Sequence, residues 1–139
     1  MSISKIQDNY VEQFAKFDTW EDRYSEIVKL GKELAPLEDE FKVDKFKVKG
    51  CQSSVWLTAK LDDGKVIYSA DSDAMIVKGI IALLVNTFSG HSPQDIMNSN
   101  LDYLDKIGLR QHLSMNRSNG LTSMIKQIKM YAMAFSTQV

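Results

Sequence analysis

The sequence has one cysteine, two prolines and no long apolar run among its 139 residues. A single cysteine cannot close a disulfide within the chain, and alone it cannot supply the three or four ligands of a thiolate zinc site or an iron–sulfur cluster. The longest apolar stretch, Ala74 to Val85, contains Lys78 and is shorter than the roughly 20 residues of a membrane-spanning helix. These absences exclude a disulfide scaffold, a thiolate metal centre held by this chain alone and a membrane span.

An excess of charge of one sign is also lacking, since 17 Lys and Arg face 18 Asp and Glu for a formal net charge of -1. This balance gives no reason to expect a nucleic-acid partner. The length and the 44% hydrophobic fraction are typical of one soluble globular domain, so residues 1–139 are predicted to form a single domain. The N-terminus has no apolar core of a secretory signal and carries Asp8 early, which predicts a cytoplasmic protein.

The balanced total hides an uneven distribution of charge along the chain. Residues 1–40 carry ten acids and five bases, whereas residues 106–139 carry five bases and no acid. Solvated helix faces are the default interpretation of such segments. A partner with an acidic patch is the alternative.

Helical spacing of apolar residues predicts a first helix from Ile3 to Phe17. The sequence Asp18-Thr19-Trp20-Glu21 has the form of a capping box, and the second helix that it begins should end before Pro36.

Alternation with a period of two then predicts three strands, over residues 45–49, 55–61 and 66–70. Asp63-Gly64 favours a two-residue hairpin turn, which would place Leu61 opposite Val66 and Trp56 opposite Asp71.

Further helix starts are predicted after the hairpin, at Asp71-Ser72-Asp73 for an apolar central helix that runs to Phe88, and at Ser92-Pro93 for a short one. The last helix presents an amphipathic face from Leu121 to Phe135. The fold class that follows is α+β, a small antiparallel sheet of about three strands packed against several helices.

Cys51 is the residue whose setting suggests chemistry. It lies between Gly50 and a polar Gln52-Ser53-Ser54 run, which predicts a loop. Nearby lysines at 42, 45, 47 and 49 and the start of the central helix should favour the thiolate, although Asp71 and Asp73 oppose this. A lone cysteine is more often a small buried hydrophobe, so the local pattern leaves its role open.

His91 and His112 are the candidates for acid–base work, but both lie in polar stretches that favour a surface position. A thiol enzyme would need His112 within hydrogen-bond reach of Cys51. Arg117, near a helix start, is electrostatically misplaced unless it has a partner. The sequence has no phosphate-binding loop, dinucleotide fingerprint, Gly-x-Ser-x-Gly elbow or helical His pair.

Three segments stand out over nearly the whole chain, in this order: Gly50 to Trp56, Asp71 to Ala74 with Ile76 to Gly79, and Gln111 to Ser114 with Arg117 to Leu121 and Met124. Taken together, these segments resemble the SufE family of sulfur acceptors. Met115-Asn116 departs from that family, many members of which have a proline-containing pair there. The resemblance implies an α+β fold similar to IscU-like scaffold proteins of iron–sulfur assembly.

This resemblance implies that Cys51 accepts sulfane sulfur from the persulfide of a pyridoxal-phosphate cysteine desulfurase of the SufS type, stimulates that enzyme, and passes sulfur to the SufBCD complex. Pyridoxal phosphate then belongs to the partner, and no cofactor or metal is expected on this chain. We expect the Cys51 side chain to be partly sheltered, because a persulfide must be kept from stray thiols. Supporting or partner-binding candidates are Gly50, Gln52, Asp71, Ser72, Asp73, His112 and Arg117.

Several alternatives stay open from the sequence. A paralogue would serve a CsdA-type desulfurase and other sulfur acceptors, and a free-standing thiol enzyme would use Cys51 with His112. A non-catalytic interaction domain would only pack its cysteine. A cluster scaffold is disfavoured by the single thiol. Whether the chain forms a homodimer is also left open.

Overall fold

The computed structural model of the protein describes residues 1–138. Two helices come first, a β-hairpin follows, and further helices complete the fold. In this part of the chain no helix combines the length and apolar character that a membrane span requires. The elements are α1 (Ile3–Ala15), α2 (Trp20–Glu33), β1 (Val55–Asp62), β2 (Lys65–Ser72), α3 (Met75–Phe88), α4 (Pro93–Asn98), α5 (Asp102–Ile107), α6 (Leu109–His112) and α7 (Met115–Ser136).

The hairpin of β1 and β2 has the predicted turn and register. Asp63 and Gly64 have φ values of 53° and 77°, and two positive φ angles in succession are what a two-residue turn between twisted strands requires. The antiparallel ladder therefore runs from Asp62 opposite Lys65 to Val55 opposite Ser72. Both predictions are confirmed.

The strand predicted over residues 45–49 is wrong, and the sheet described here has two strands rather than about three. Residues 44–46 form a 3-10 turn, and Lys47 makes only an isolated bridge to Trp56. The ring of Phe46 packs edge-on against Phe41 at a centroid distance of 5.6 Å. The 3-10 turn leaves only Lys47 and Val48 in extended pairing with β1, where the Val48 amide donates a 2.8 Å hydrogen bond to the Val55 carbonyl, so no ladder forms.

Helix α3 is the central helix, as its apolar sequence predicts. Nearly all its side chains are buried, and it packs against α2 on one side and β2 on the other. The inward face of the hairpin is buried as well, and the Tyr68 hydroxyl donates a 2.6 Å hydrogen bond to the Ile128 carbonyl in α7. The core thus lies between the hairpin and the helices.

The crossing of α2 and α3 is a contact between backbones. A Cβ placed on Gly31 would lie 2.7 Å from the Gly79 nitrogen, and a Cβ placed on Gly79 would overlap the Ile27 carbonyl. Because backbone atoms cannot rotate aside, only glycine fits at these two positions.

Helix boundaries follow the sequence signals with small differences. Thr19, not Asp18, caps α2 by accepting a 3.1 Å hydrogen bond from the Asp22 amide, and α2 ends before Pro36 as predicted. Ser92 caps α4 with Pro93 at its first position, which is also as predicted. Ser114 caps α7, so that helix begins at Met115.

Replacing Gly79 with alanine should lower the free energy of unfolding by about 2–3 kcal/mol, because the new methyl group would force α2 and α3 apart. Helix propensity alone would raise the free energy of unfolding of the variant by about 1 kcal/mol, so the two effects differ in sign. Urea unfolding measures the difference. The control is Met75→Ala on the exposed start of the same helix, expected within about 0.5 kcal/mol of the original protein. A stabilised Gly79→Ala variant would contradict the backbone contact.

Candidate functional site

Cys51 lies on the loop that leads from Lys47, which forms a bridge to Trp56, to the start of β1 at Val55. Its side chain is half-buried, as expected for a sheltered thiol, and its Sγ lies 3.7 Å from the Gly120 carbonyl oxygen. The thiol borders a pocket of about 20 Å³, which is room for one water-sized group. The pocket is walled by Val77 and Ile80 of α3 and by Asn116, Arg117, Gly120 and Met124 of α7.

Gly50 allows the loop to approach α7. Its φ is 93°, a conformation that side chains disfavour, and a Cβ at this position would lie 2.5 Å from Ser123 Oγ. The backbone conformation at position 50 therefore favours glycine, and any side chain there would also force the Ser123 hydroxyl to rotate aside.

Asp73 and Ser72 hold the far end of the loop at Ser54. The Ser54 amide donates to Asp73 Oδ1 at 3.1 Å, the Asp73 amide donates to the Ser54 carbonyl at 3.2 Å, and Ser72 Oγ donates to that carbonyl at 2.8 Å. These bonds depend on the hairpin register, which sets Ser72 opposite Val55.

The prediction that Asp71-Ser72-Asp73 begins the central helix is wrong. Strand β2 continues to Ser72, and the N-cap of α3 is Ala74, which has no side chain that could cap. Pairing with β1 commits these residues to the ladder, so their side chains serve the loop and the ion pairs instead.

Asp71 is buried between two lysines. Its carboxylate lies 3.0 Å from Lys42 Nζ and 3.3 Å from Lys78 Nζ, and it accepts a 2.8 Å hydrogen bond from the Ser72 amide. Burial alone would raise the pKa of Asp71, but hydrogen bonds from Lys42, the Ser72 amide and Lys78 hold that pKa below its ordinary value. Through these contacts Asp71 of β2 links Lys42, in the segment before the cysteine loop, to Lys78 of α3.

The expectation that lysines and a helix start favour a Cys51 thiolate is wrong for this structure. Burial raises the pKa of the Cys51 thiol, so at neutral pH it is a thiol. Lys42 is held by Asp71, and Lys47 lies 3.9 Å from Asp44. Two of the four lysines that the sequence places near the cysteine, Lys42 and Lys47, therefore have carboxylate partners elsewhere.

The two histidines are not part of this pocket. His112 stacks on Trp20 at a centroid distance of 4.7 Å, and its Nδ1 lies 2.9 Å from the Gly108 carbonyl oxygen. His91 contacts the Phe88 and Met1 carbonyls through its two ring nitrogens. Neither histidine lines the pocket beside Cys51, so the pairing that a Cys–His thiol enzyme requires is not formed here.

Arg117 and Gln52 do line the pocket, together with residues that the sequence analysis missed. Gly120 could have been found, because a glycine inside a long amphipathic helix costs about 1 kcal/mol and indicates a close approach. Val77 and Met124 stand in the segments that carry the family resemblance, but as apolar residues at helical spacing they predict only a core, and so does Ile80.

Within residues 1–138, no three His, Cys, Asp or Glu side chains converge in a way that could hold a metal ion. The residues that could take part in chemistry at this site are a thiol, a guanidinium and amides. This set suits covalent chemistry at sulfur.

Comparison with known proteins places the chain among relatives of one kind. A family model described as SufE, Fe-S metabolism associated domain, matches residues 8–132. An uncharacterized SufE-like protein of Synechocystis sp. is 39% identical over 125 residues, 90% of this chain and 79% of the relative. An uncharacterized SufE-like protein of Rhizobium meliloti is 41% identical over 127 residues, 88% and 91% of the two chains.

A solved structure shares the fold. The solution structure of a hypothetical protein from Thermus thermophilus matches with a TM-score of 0.78 at 19% identity, covering 95% of this chain and 96% of that one. The predicted α+β class is confirmed by this match and by the architecture described above.

Asp71→Asn should lower the free energy of unfolding by about 1–3 kcal/mol at neutral pH, because it leaves Lys42 and Lys78 without their carboxylate. A carboxylate whose pKa is depressed in the folded state stabilises fully above its ordinary pKa of 3.8, and this contribution is lost as the pH falls through the folded value. Urea unfolding along a pH series should therefore show the difference from the original protein shrinking in acid. Asp62→Asn, at the exposed end of β1, is the control. A difference independent of pH would contradict the ion pairs.

Alkylation of Cys51 by iodoacetamide should be slow, with its rate reaching half of the maximum above the ordinary thiol pKa of 9.0, because the buried thiol resists ionisation. Asp73→Ala should speed the reaction roughly threefold or more, since the Ser54 amide loses its acceptor and the loop opens more often. The measurement is mass spectrometry of the time course.

Asp8→Ala, an exposed carboxylate on α1, is the matched control and should react as the original protein does. Alkylation of the original protein at the rate of a small free thiol would refute the sheltered state of Cys51.

Proposed function

Because the chain belongs to the SufE family, whose domain is associated with iron–sulfur metabolism, we propose that Cys51 accepts sulfur as a persulfide from a cysteine desulfurase. It then passes that sulfur to the assembly of iron–sulfur clusters. The donor is a pyridoxal-phosphate enzyme of the SufS type, the recipient is the SufBCD complex, and the transfer takes place in the cytoplasm. The desulfurase carries the pyridoxal phosphate, and this chain binds no cofactor of its own.

One observation supports the proposal most: a single half-buried thiol on an exposed loop borders a pocket with room for one small group. A sulfur carrier needs a nucleophile that a partner can reach and a place that keeps the bound sulfur from other thiols. A terminal sulfur atom is of the order of the water-sized space beside Cys51.

The transfer itself is a displacement at sulfur. The Cys51 thiol loses its proton to solvent or to a base of the donor, and the thiolate attacks the outer sulfur of the donor's persulfide. A new S–S bond forms at Cys51 Sγ while the donor's S–S bond breaks, and the donor leaves as a thiolate. Electrons balance without an added oxidant or reductant, and Cys51 ends as a persulfide.

The buried thiol must become exposed and ionised for this step. In the resting state burial raises the pKa of Cys51 and its Sγ contacts the Gly120 carbonyl, which protects it. Docking of the donor would draw the loop outward about Gly50, while the Ser54 bonds to Asp73 and Ser72 keep the other end in place. Reactivity is thereby limited to the docked complex.

Arg117 supplies positive charge at the same pocket. A persulfide is a stronger acid than a thiol, so the loaded Cys51 carries negative charge when its outer sulfur is deprotonated. We assign the Arg117 guanidinium to the stabilisation of this anion, which is an electrostatic role that does not require it to touch the donor.

A second candidate function is sulfur transfer from a different donor, a CsdA-type desulfurase, by the same chemistry at Cys51. No contact in the structure favours it over the SufS type. The free-standing thiol enzyme has less support, because His112 is occupied by Trp20 and Gly108.

Incubating the protein with a cysteine desulfurase, pyridoxal phosphate and cysteine should add about one sulfur atom to its intact mass, removable by reductant. Cys51→Ser should gain nothing. His112→Ala should gain as much as the original protein, whereas a Cys–His thiol enzyme would require this histidine. An unchanged mass of the original protein beside a fully active desulfurase would refute the proposal.

A further inference from the structure

A groove of about 380 Å³ runs between residues 45–49 and helix α7. Four lysines line it, together with apolar, aromatic and uncharged polar side chains. We call it the basic groove and define it by Lys45, Lys47, Lys49, Lys126, Met130 and Tyr131.

The charges of the basic groove are mostly uncompensated. Within residues 1–138 no carboxylate lies within 4.0 Å of the ammonium groups of Lys45, Lys49 or Lys126. Lys47 approaches only Asp44, at 3.9 Å, and that carboxylate is fully exposed, so the pair is weak. Four lysines therefore line one groove, and α7 carries no acid along its length. The Lys45 ammonium group lies 5.4 Å from the centroid of the Phe46 ring, a contact that leaves its charge uncompensated.

Apolar side chains that line the groove indicate which kind of polyanion it binds. Met130 is 46% exposed, and the Tyr131 hydroxyl donates a 2.9 Å hydrogen bond to the Leu57 carbonyl. An exposed methionine adapts to apolar side chains. Lysines beside an exposed apolar side chain resemble the layout of a protein interface, in which charged and polar residues border apolar ones.

The basic groove ends at the reactive thiol. Ser123 lines the groove and lies against Gly50, where a Cβ would come within 2.5 Å of its hydroxyl. Gly120, less than one turn earlier on α7, contacts Cys51. The groove and the thiol thus share both walls, the segment that leads to Cys51 on one side and α7 on the other.

We propose that the basic groove is the docking site for an acidic segment of the sulfur donor, a stretch of Asp and Glu side chains with an apolar residue that covers Met130. This inference rests on the proposed function for the identity of the partner. An acidic segment laid along the groove is directed toward Cys51 by the shared walls. Opposite charge also raises the rate of encounter, and it makes binding dependent on salt.

The test is a charge reversal of two lysines of the groove, Lys49→Glu with Lys126→Glu, made in a Cys51→Ser background so that binding is measured without sulfur transfer. The probe is purified cysteine desulfurase, titrated by calorimetry. We expect the Kd to rise about tenfold or more, and the Kd of the unreversed protein to rise with salt. The matched control, Lys5→Glu with Lys29→Glu on exposed faces of α1 and α2, changes net charge equally and should bind as before.

Equal weakening by both double variants would mean that only net charge matters, and this would overturn the groove. An unchanged Kd, or tight binding of duplex DNA or anionic vesicles that the reversal abolishes while desulfurase binding persists, would overturn it too. All four lysines that are changed are exposed, and thermal unfolding checks that each variant is folded.

Loading of Cys51 separates the inference from the proposed function. With Cys51 restored, the Lys49→Glu, Lys126→Glu variant should load slowly from desulfurase but at the normal rate from cysteine persulfide. If the unreversed protein binds desulfurase through the groove yet never gains sulfur, the proposed function fails and the docking site stands. If it gains sulfur and the reversal changes nothing, the function stands and the docking site fails.

Discussion

The register of the β-hairpin is the constraint on which the arrangement of this site depends. The two-residue turn at Asp63-Gly64 fixes which residues of β2 face which residues of β1. Because Ser72 lies opposite Val55, the end of β2 meets the start of β1, where the cysteine loop rejoins the sheet. A slip of one residue would turn every side chain to the other face of the sheet and leave Ser54 without its partners.

Local signals in the sequence were enough for much of the fold. Asp63-Gly64 determines the hairpin, and Ser92-Pro93 determines a helix start, since in both cases the relevant contacts lie within a few residues. One failure arises where a distant contact competes with a local pattern. Pairing with β1 extends β2 over Asp71 and Ser72, where a helix start was predicted. The other failure is local, because a 3-10 turn over residues 44–46 replaces the predicted strand.

The features of the site likewise divide into those that local signals reveal and those that depend on distant contacts. Cys51 could be singled out from its loop and from the family resemblance, and Gly50 from the turn that it permits. The ionisation state of Cys51 could not be predicted, because it depends on which residues bury the thiol. Those residues come from α3 and α7, far along the chain. The ion pairs of Asp71 with Lys42 and Lys78 join three separate segments, so no spacing rule reveals them.

The size of the pocket beside Cys51 has a consequence for stoichiometry. Persulfides can lengthen by further displacement into trisulfides and longer chains, each of which needs space for another sulfur atom. The walls at Gly120, Val77 and Ile80 leave about 20 Å³, so a second added sulfur would have to project into solvent. In the proposed role, the pocket then shelters one added sulfur atom, and a further sulfur atom would be exposed to other thiols.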